Sequence, residues 1–70
     1  MDDKASVIAA RILPGAVFKC NGNIINIIEV QDRYTVYSMD GITHLLSTMS
    51  IAEFLARNDT VLLKDGSKYG

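Results

Sequence analysis

Residues 16–47 decide the fold, and they read AVFKCNGNIINIIEVQDRYTVYSMDGITHLLS. Runs rich in β-branched and aromatic residues alternate here with short polar breaks, which is typical of strands joined by turns. Two of the breaks, Asn21-Gly22 and Asp40-Gly41, favour tight hairpin turns because Asn, Asp and Gly tolerate a positive φ angle. The break between them is Asp32-Arg33. The pattern predicts an antiparallel meander of four strands, over residues 16–20, 24–31, 34–39 and 42–47.

Helices are predicted on both sides of this meander. Residues 3–13 carry apolar side chains at helical spacing, and Pro14-Gly15 ends the helix because proline cannot continue it. After the fourth strand, Ser50 and Glu53 have the spacing of a capping box, in which a serine hydroxyl and a glutamate carboxylate bind each other's backbone N–H groups. This spacing predicts a second helix over residues 51–57, with Ser50 as its N-cap.

A fifth strand and a polar tail complete the predicted order. Asn58 is expected to end the second helix in the left-handed conformation. Residues 60–64 are predicted to form the fifth strand, and residues 65–70 a polar tail. Seventy residues are enough for one domain and too few for two, so residues 1–70 are predicted to be a single domain.

The order of elements over residues 14–64 resembles the small barrels of the Src-homology-3-like (SH3-like) class. Short proteins of phages and other mobile elements are similar in style, with a Pro-Gly start, an isoleucine-rich hairpin, a tyrosine-containing third strand and a late helix that carries Phe54-Leu55. The resemblance implies a mainly β (α+β) fold, a five-stranded SH3-like antiparallel barrel with a short N-terminal helix and a helix before the last strand. The sequence departs from the peptide-binding members because it has no tryptophan and lacks paired aromatic residues.

Composition, charge and the N-terminal residues indicate which partners and which compartment to expect. Seven Lys and Arg residues balance eight Asp and Glu residues, which argues against the basic stripe that nucleic-acid binding usually requires. The N-terminus begins with Met1-Asp2-Asp3-Lys4, acidic where a secretory signal is basic, and the longest apolar run, residues 7–10, is too short to cross a membrane. A single unpaired cysteine fits a reducing cytoplasm. We therefore expect a cytoplasmic protein without membrane contact.

The residues that could carry chemistry are few. One cysteine, Cys20, cannot form an intramolecular disulfide, and together with the one histidine, His44, it falls short of the four ligands of a structural zinc site. His44 is expected to be a packed or surface histidine and Cys20 a small buried apolar residue. No phosphate-binding loop or nucleophile motif is present. The sequence predicts a protein that is not an enzyme and that has no catalytic residues, no metal and no cofactor.

An excess of apolar residues is the most informative feature of the strands. Alternation places Ile24 and Ile28 on one face of the second strand and Ile25 and Ile27 on the other, whereas a sheet with one wet face should be apolar on one side. Leucine pairs at residues 45–46 and 62–63 repeat the pattern. Either barrel closure and the N-terminal helix cover both faces, or part of the second face is an interface. The interface candidates are Ile25, Ile27, Tyr34, Leu45 and Leu62.

Two functional hypotheses follow. The leading one is a non-enzymatic protein-interaction module, and the resemblance implies an accessory or inhibitory phage or mobile-element protein that acts on a bacterial host protein. A homodimer would be the simplest way to cover an apolar patch, since a two-fold axis lets the patch cover itself. The alternative is a small nucleic-acid-associated regulatory barrel, in which Phe18, Tyr34 and Tyr37 stack on bases while Lys19 and Arg33 contact phosphates.

Overall fold

Five antiparallel strands form one sheet, and two helices pack against one of its faces. The computed structural model describes residues 3–67. The helices and strands are α1 (Asp3–Arg11), β1 (Val17–Cys20), β2 (Asn23–Gln31), β3 (Tyr34–Met39), β4 (Ile42–Ser47), α2 (Thr48–Arg57) and β5 (Thr60–Lys64). The prediction of a mainly β, α+β fold is confirmed, and all five predicted strands are present.

The strand order in the sheet is β4-β3-β2-β1-β5. The first four strands form the predicted meander of three hairpins. α2 follows β4 and β5 follows α2, and β5 pairs with β1. Because β4 and β5 lie at opposite edges, the sheet is open and is not closed into the predicted barrel.

The two predicted tight turns have the left-handed backbone that their sequences favour. Asn21 and Gly22 have φ angles of 51° and 86°, and Asp40 and Gly41 have φ angles of 55° and 77°. Two successive residues with positive φ are the mark of a type I′ turn, whose twist matches that of the flanking strands. The second turn joins Met39 directly to its partner Ile42 and so sets the register of β4.

The N-cap of α2 differs from the prediction. The helix begins at Thr48, and Ser47 is the cap, since its backbone is extended (φ −63°, ψ 143°) and its Oγ accepts a hydrogen bond from the Ser50 N–H at 3.1 Å. The prediction that Ser50 caps the helix was therefore wrong. A cap must have an extended backbone, and Ser47, as the last residue of β4, has one, whereas Ser50 already lies in the first turn.

The end of α2 also differs from the prediction. Asn58 has an extended backbone (φ −119°, ψ 169°) and not the left-handed one. Its Nδ2 donates a hydrogen bond to the Phe54 carbonyl at 2.7 Å, and its backbone N–H donates to the Leu55 carbonyl at 3.4 Å. The side chain of Asn58 thus satisfies a terminal carbonyl of the helix. In a left-handed cap, a backbone N–H group would bind such a carbonyl.

The core lies between the helices and one face of the sheet, termed the inner face. Residues of α2, of β1, β2 and β3 and of the connection between α1 and β1 form the core cluster, and Ile8 and Ala9 of α1 pack against it. The cluster consists of Ile12, Ala16, Phe18, Cys20, Ile25, Ile27, Tyr37, Ile51, Ala52 and Leu55. Ile25 and Ile27 are each 2% exposed. The chain's own helices therefore cover these two isoleucines. The opposite face of the sheet is termed the outer face.

The start of the predicted polar tail is docked on the connection between α1 and β1. The Ser67 N–H donates to the Pro14 carbonyl at 3.0 Å, and Arg11 forms an exposed ion pair with Asp65 at 3.2 Å. Gly66 lies so close to this connection that a Cβ atom would fall 2.5 Å from the Leu13 carbonyl oxygen. The segment packs as part of the domain as far as Ser67, and residues 68–70 of the predicted tail lie outside the described residues.

Candidate functional site

An apolar groove remains open on the inner face between α2 and the β3–β4 end of the sheet. Its volume is about 250 Å³. The lining residues are Ile25, Tyr37, Met39, Leu46, Ile51 and Phe54. Ile25 and Ile51 are buried and form the floor, whereas Leu46 and Phe54 are 47% and 49% exposed and form the rim. This space is termed the β4 groove.

The groove exists because the sheet is wider than the helices that cover it. Ile51 and Leu55, on the buried side of α2, reach the central strands, where they join the core cluster. β4 lies beyond them at the sheet edge, so the inner-face side chains of Ile42 and Leu46 stay 60% and 47% exposed. The same chain therefore buries the middle of the inner face and leaves its β4 side open.

Tyr37 and His44 form the polar part of this region. They pair across β3 and β4, and their rings stack with centroids 5.1 Å apart at an interplanar angle of 18°. Burial raises the pKa of the Tyr37 phenol above its ordinary value, so the phenol stays neutral at physiological pH. Tyr37 carries the one ionisable group among the residues that line the groove. The groove is thus suited to contact with apolar groups.

The outer face is also partly apolar, but its apolar residues are interrupted by polar ones. Lys19 lies between Ile24 of β2 and Val61 of β5. Ile28 and Leu63 are the extra residues at two β-bulges, where the register shifts by one residue. Scattered apolar residues of this kind are ordinary on protein surfaces, whereas a contiguous apolar concavity marks a binding site.

The predicted interface residues do not come together in one surface. Ile27 lies in the core, and Ile25 lies in the core at the floor of the β4 groove. Leu62 is half-buried against the same core. Tyr34 and Leu45, which are 55% and 62% exposed, lie on β3 and β4.

Sequence reasoning missed the groove itself. Its rim combines Leu46, which is on the inner face of β4, with Phe54, which is three residues after the buried Ile51 on α2. Each residue fits a core pattern by itself. They lie together beside an open groove because β4 is at the edge of the sheet. That position depends on how all five strands pair.

Other chemistry is limited within residues 3–67. No group of three or more His, Cys, Asp or Glu side chains there is arranged to hold a metal ion. The thiol of Cys20 is free and buried, as predicted. Neither of the two helices in this part of the chain has the length and apolar character needed to cross a membrane.

Comparison with known proteins adds no relative to these observations. No family model matches the chain, and no curated protein or solved structure is significantly similar to it.

Proposed function

We propose that this protein is a non-enzymatic interaction module that binds a partner protein through the β4 groove. The observation that carries the proposal is the open apolar concavity between α2 and β4, with a buried floor and a half-exposed rim of Leu46 and Phe54. Such pockets are where the few residues that dominate protein–protein affinity are usually inserted.

The size of the groove favours a side chain over a free small molecule as its occupant. Small-molecule and cofactor sites usually have volumes of about 300–1,000 Å³ and carry several placed polar groups. The β4 groove measures about 250 Å³, and Tyr37 supplies its one polar side chain. A groove of this size can take one large apolar side chain of the partner, such as leucine, phenylalanine or tryptophan.

The resemblance noted in the sequence supports a narrower form of this proposal. The partner would be a bacterial host protein, and the chain would be an accessory or inhibitory protein of a phage or mobile element that works in the cytoplasm. We also propose a relationship to SH3-like barrels. Three features support it: the four-stranded meander, the helix before the last strand and the pairing of β5 with β1.

The alternative, a nucleic-acid surface, has less support. Base stacking needs exposed aromatic faces. Phe18 and Tyr37 are 2% and 8% exposed and belong to the core, so Tyr34 is the one residue of the proposed stacking set that faces solvent. Lys19 lies on the outer face between apolar neighbours, and Arg33 lies in the turn between β2 and β3.

The test is capture of a partner from bacterial lysate with the tagged chain and two matched variants. Phe54→Lys places a charge at the groove rim, and Val7→Lys places the same charge on α1 at a residue that is 61% exposed and does not line the groove. We expect the wild type and Val7→Lys to capture the same protein, with nuclease present. Phe54→Lys should weaken binding at least tenfold, because a charge at the rim obstructs the apolar side chain that the partner inserts into the groove. An inserted anchor of this kind contributes about 2 kcal/mol or more.

A salt titration of the captured complex separates the two functional hypotheses. A flat response supports apolar contact, whereas affinity that falls steeply with salt indicates phosphate contacts. Capture that nuclease abolishes, or equal loss of binding in both lysine variants, would contradict the groove as the binding site. Circular dichroism of each variant shows whether the fold is retained.

A further inference from the structure

The edge of β4 has backbone groups that no residue of the described chain pairs with. The type I′ turn makes Met39 and Ile42 a hydrogen-bonded pair, and such pairs alternate along an antiparallel ladder. The backbone groups of Ile42, His44 and Leu46 therefore point toward β3. Those of Thr43 and Leu45 point away from the sheet, where β4 has no neighbouring strand.

β4 also lacks the features that normally protect an edge strand. Natural edges carry lysine, proline or bulges that prevent pairing with another chain. The sequence of β4, ITHLLS, has none of these residues and no charged one, and its pairing with β3 runs without a register shift. β5, at the other edge, has both a lysine, Lys64, and a bulge.

Exposed apolar side chains are concentrated at the same end of the molecule. Eleven large apolar residues are exposed in the described chain, and five of them lie on β4 or α2: Ile42, Leu45, Leu46, Met49 and Phe54. A stable dimer buries about 800 Å² on each partner, roughly one sixth of the 4726 Å² that the chain exposes. At the β4 end, exposed apolar side chains lie on both faces of one strand, with Ile42 and Leu46 on the inner face and Leu45 on the outer face, so they would form the centre of an interface of that size.

We propose that β4 pairs with β4 of a second copy, antiparallel, around a two-fold axis that passes through His44. In this register Thr43 lies opposite Leu45 of the partner subunit, and the two residues exchange both of their free backbone hydrogen bonds. The two-fold axis repeats the exchange, which gives four intersubunit bonds. Residues that pair between the two subunits then have their side chains on the same face of the joined sheet, as antiparallel pairing requires.

The register also matches apolar residues with one another. Ile42 lies opposite Leu46 of the partner subunit on the inner face, at the open side of the β4 groove. The two grooves then adjoin across the axis and form one longer apolar surface between two copies of α2. This consequence rests on the proposed function of the groove, whereas the strand pairing does not.

Sedimentation of the purified chain tests the pairing. At a concentration on the order of 100 μM, a Kd of about 1 μM leaves about nine-tenths of the chain in the dimer, whose mass would be twice 7.7 kDa. We expect Leu45→Lys to sediment as a folded monomer, because a lysine at the edge blocks pairing. The matched control is Leu63→Lys, which makes the same change at a residue of β5 that is 52% exposed, and it should remain a dimer.

Thr43→Pro and Thr43→Val form a second pair of variants. Proline removes the outward N–H without breaking a bond to β3, whereas valine keeps that N–H. Proline should dissociate the dimer and valine should not. This pair of variants therefore tests the pairing of β4 with its symmetry mate even if Leu45→Lys fails to fold. A wild-type monomer, or dissociation by Leu63→Lys as well as by Leu45→Lys, would overturn the proposal.

Disulfide trapping tests the register itself. His44 and its symmetry mate form a non-hydrogen-bonded pair with Cα atoms about 4.5 Å apart, within the range that a disulfide spans. His44→Cys should therefore give a covalent dimer on oxidation, whereas Leu45→Cys, offset from its own mate, should give little. Dimer trapped mainly through Leu45→Cys would refute this register. Sedimentation and disulfide trapping use the purified chain without a target protein. A negative result would therefore overturn the strand pairing and would say nothing against binding of a partner in the groove.

Discussion

The N-cap of α2 offers a sharp test of the structure, because two serines compete for the role. Ser47 Oγ accepts the Ser50 N–H at 3.1 Å and donates to the Ser50 hydroxyl at 2.7 Å. Loss of a serine N-cap typically costs about 1 kcal/mol. For a domain of this size that loss lowers Tm by roughly 4–8 °C. Ser47→Ala should therefore be clearly less stable than the wild type.

Ser50→Ala is the matched comparison. Ser50 lies inside the first turn and is exposed, and Ser50→Ala keeps the backbone N–H that Ser47 Oγ accepts. The Ser47 hydroxyl loses only the bond that it donates to Ser50, and it can donate to water instead. Alanine is the better helix former at such a position, and we expect a change within about 0.5 kcal/mol in either direction. Ser47→Asp should keep most of the stability, because its carboxylate also accepts a hydrogen bond at the helix N-terminus, where negative charge is favoured.

The assay is urea unfolding followed by far-UV circular dichroism. The midpoint should shift for Ser47→Ala while the slope with denaturant stays constant, which identifies a change in stability and not in compactness. A loss of stability in Ser50→Ala equal to or greater than that in Ser47→Ala would refute the assignment. It would indicate that the helix begins at residue 51, as the capping-box spacing suggested.

Two further predictions concern the docked segment and the buried phenol. Gly66→Ala should destabilise the protein by about 1 kcal/mol, since the new Cβ would displace the segment and break the hydrogen bond from Ser67 to Pro14; in the same urea assay Asp65→Ala, which removes an exposed ion pair, should cost less than about 0.5 kcal/mol. Because the pKa of Tyr37 is raised in the folded state, its contribution to stability is present below about pH 10, the ordinary tyrosine value, and is lost as the pH rises further. Unfolding midpoints compared at about pH 9 and pH 11 should fall less for Tyr37→Phe than for Tyr34→Phe.

The strands could be predicted from the sequence because local signals specify them. Asn21-Gly22 and Asp40-Gly41 encode turn conformations that few other residue pairs accept, and the residues between them have strong strand preferences. Three of the predicted strands, including residues 34–39, match the structure to the residue. These features depend on near neighbours in the chain.

The faces of the strands could not be predicted as well, because a bulge interrupts the alternation. Strict alternation places Val30 on the same face as Ile24, but the register shift at Ile28 brings Val30 opposite the buried Thr35 and against the core. No residue type marks a bulge of this kind. The β4 groove was equally hidden, since it depends on which strand lies at the edge and on how far α2 reaches across the sheet.

β4 and α2 meet at Ser47 with no loop between them, and this has a consequence for cooperativity. Ser47 is the last residue of the strand and the N-cap of the helix, and Thr48 Oγ1 lies 2.7 Å from Thr35 Oγ1 on β3. A ligand that moves α2 must therefore also move the end of the edge strand. Under the two proposals made above, groove occupancy and subunit pairing are thermodynamically linked, and each event changes the equilibrium constant of the other by the same factor.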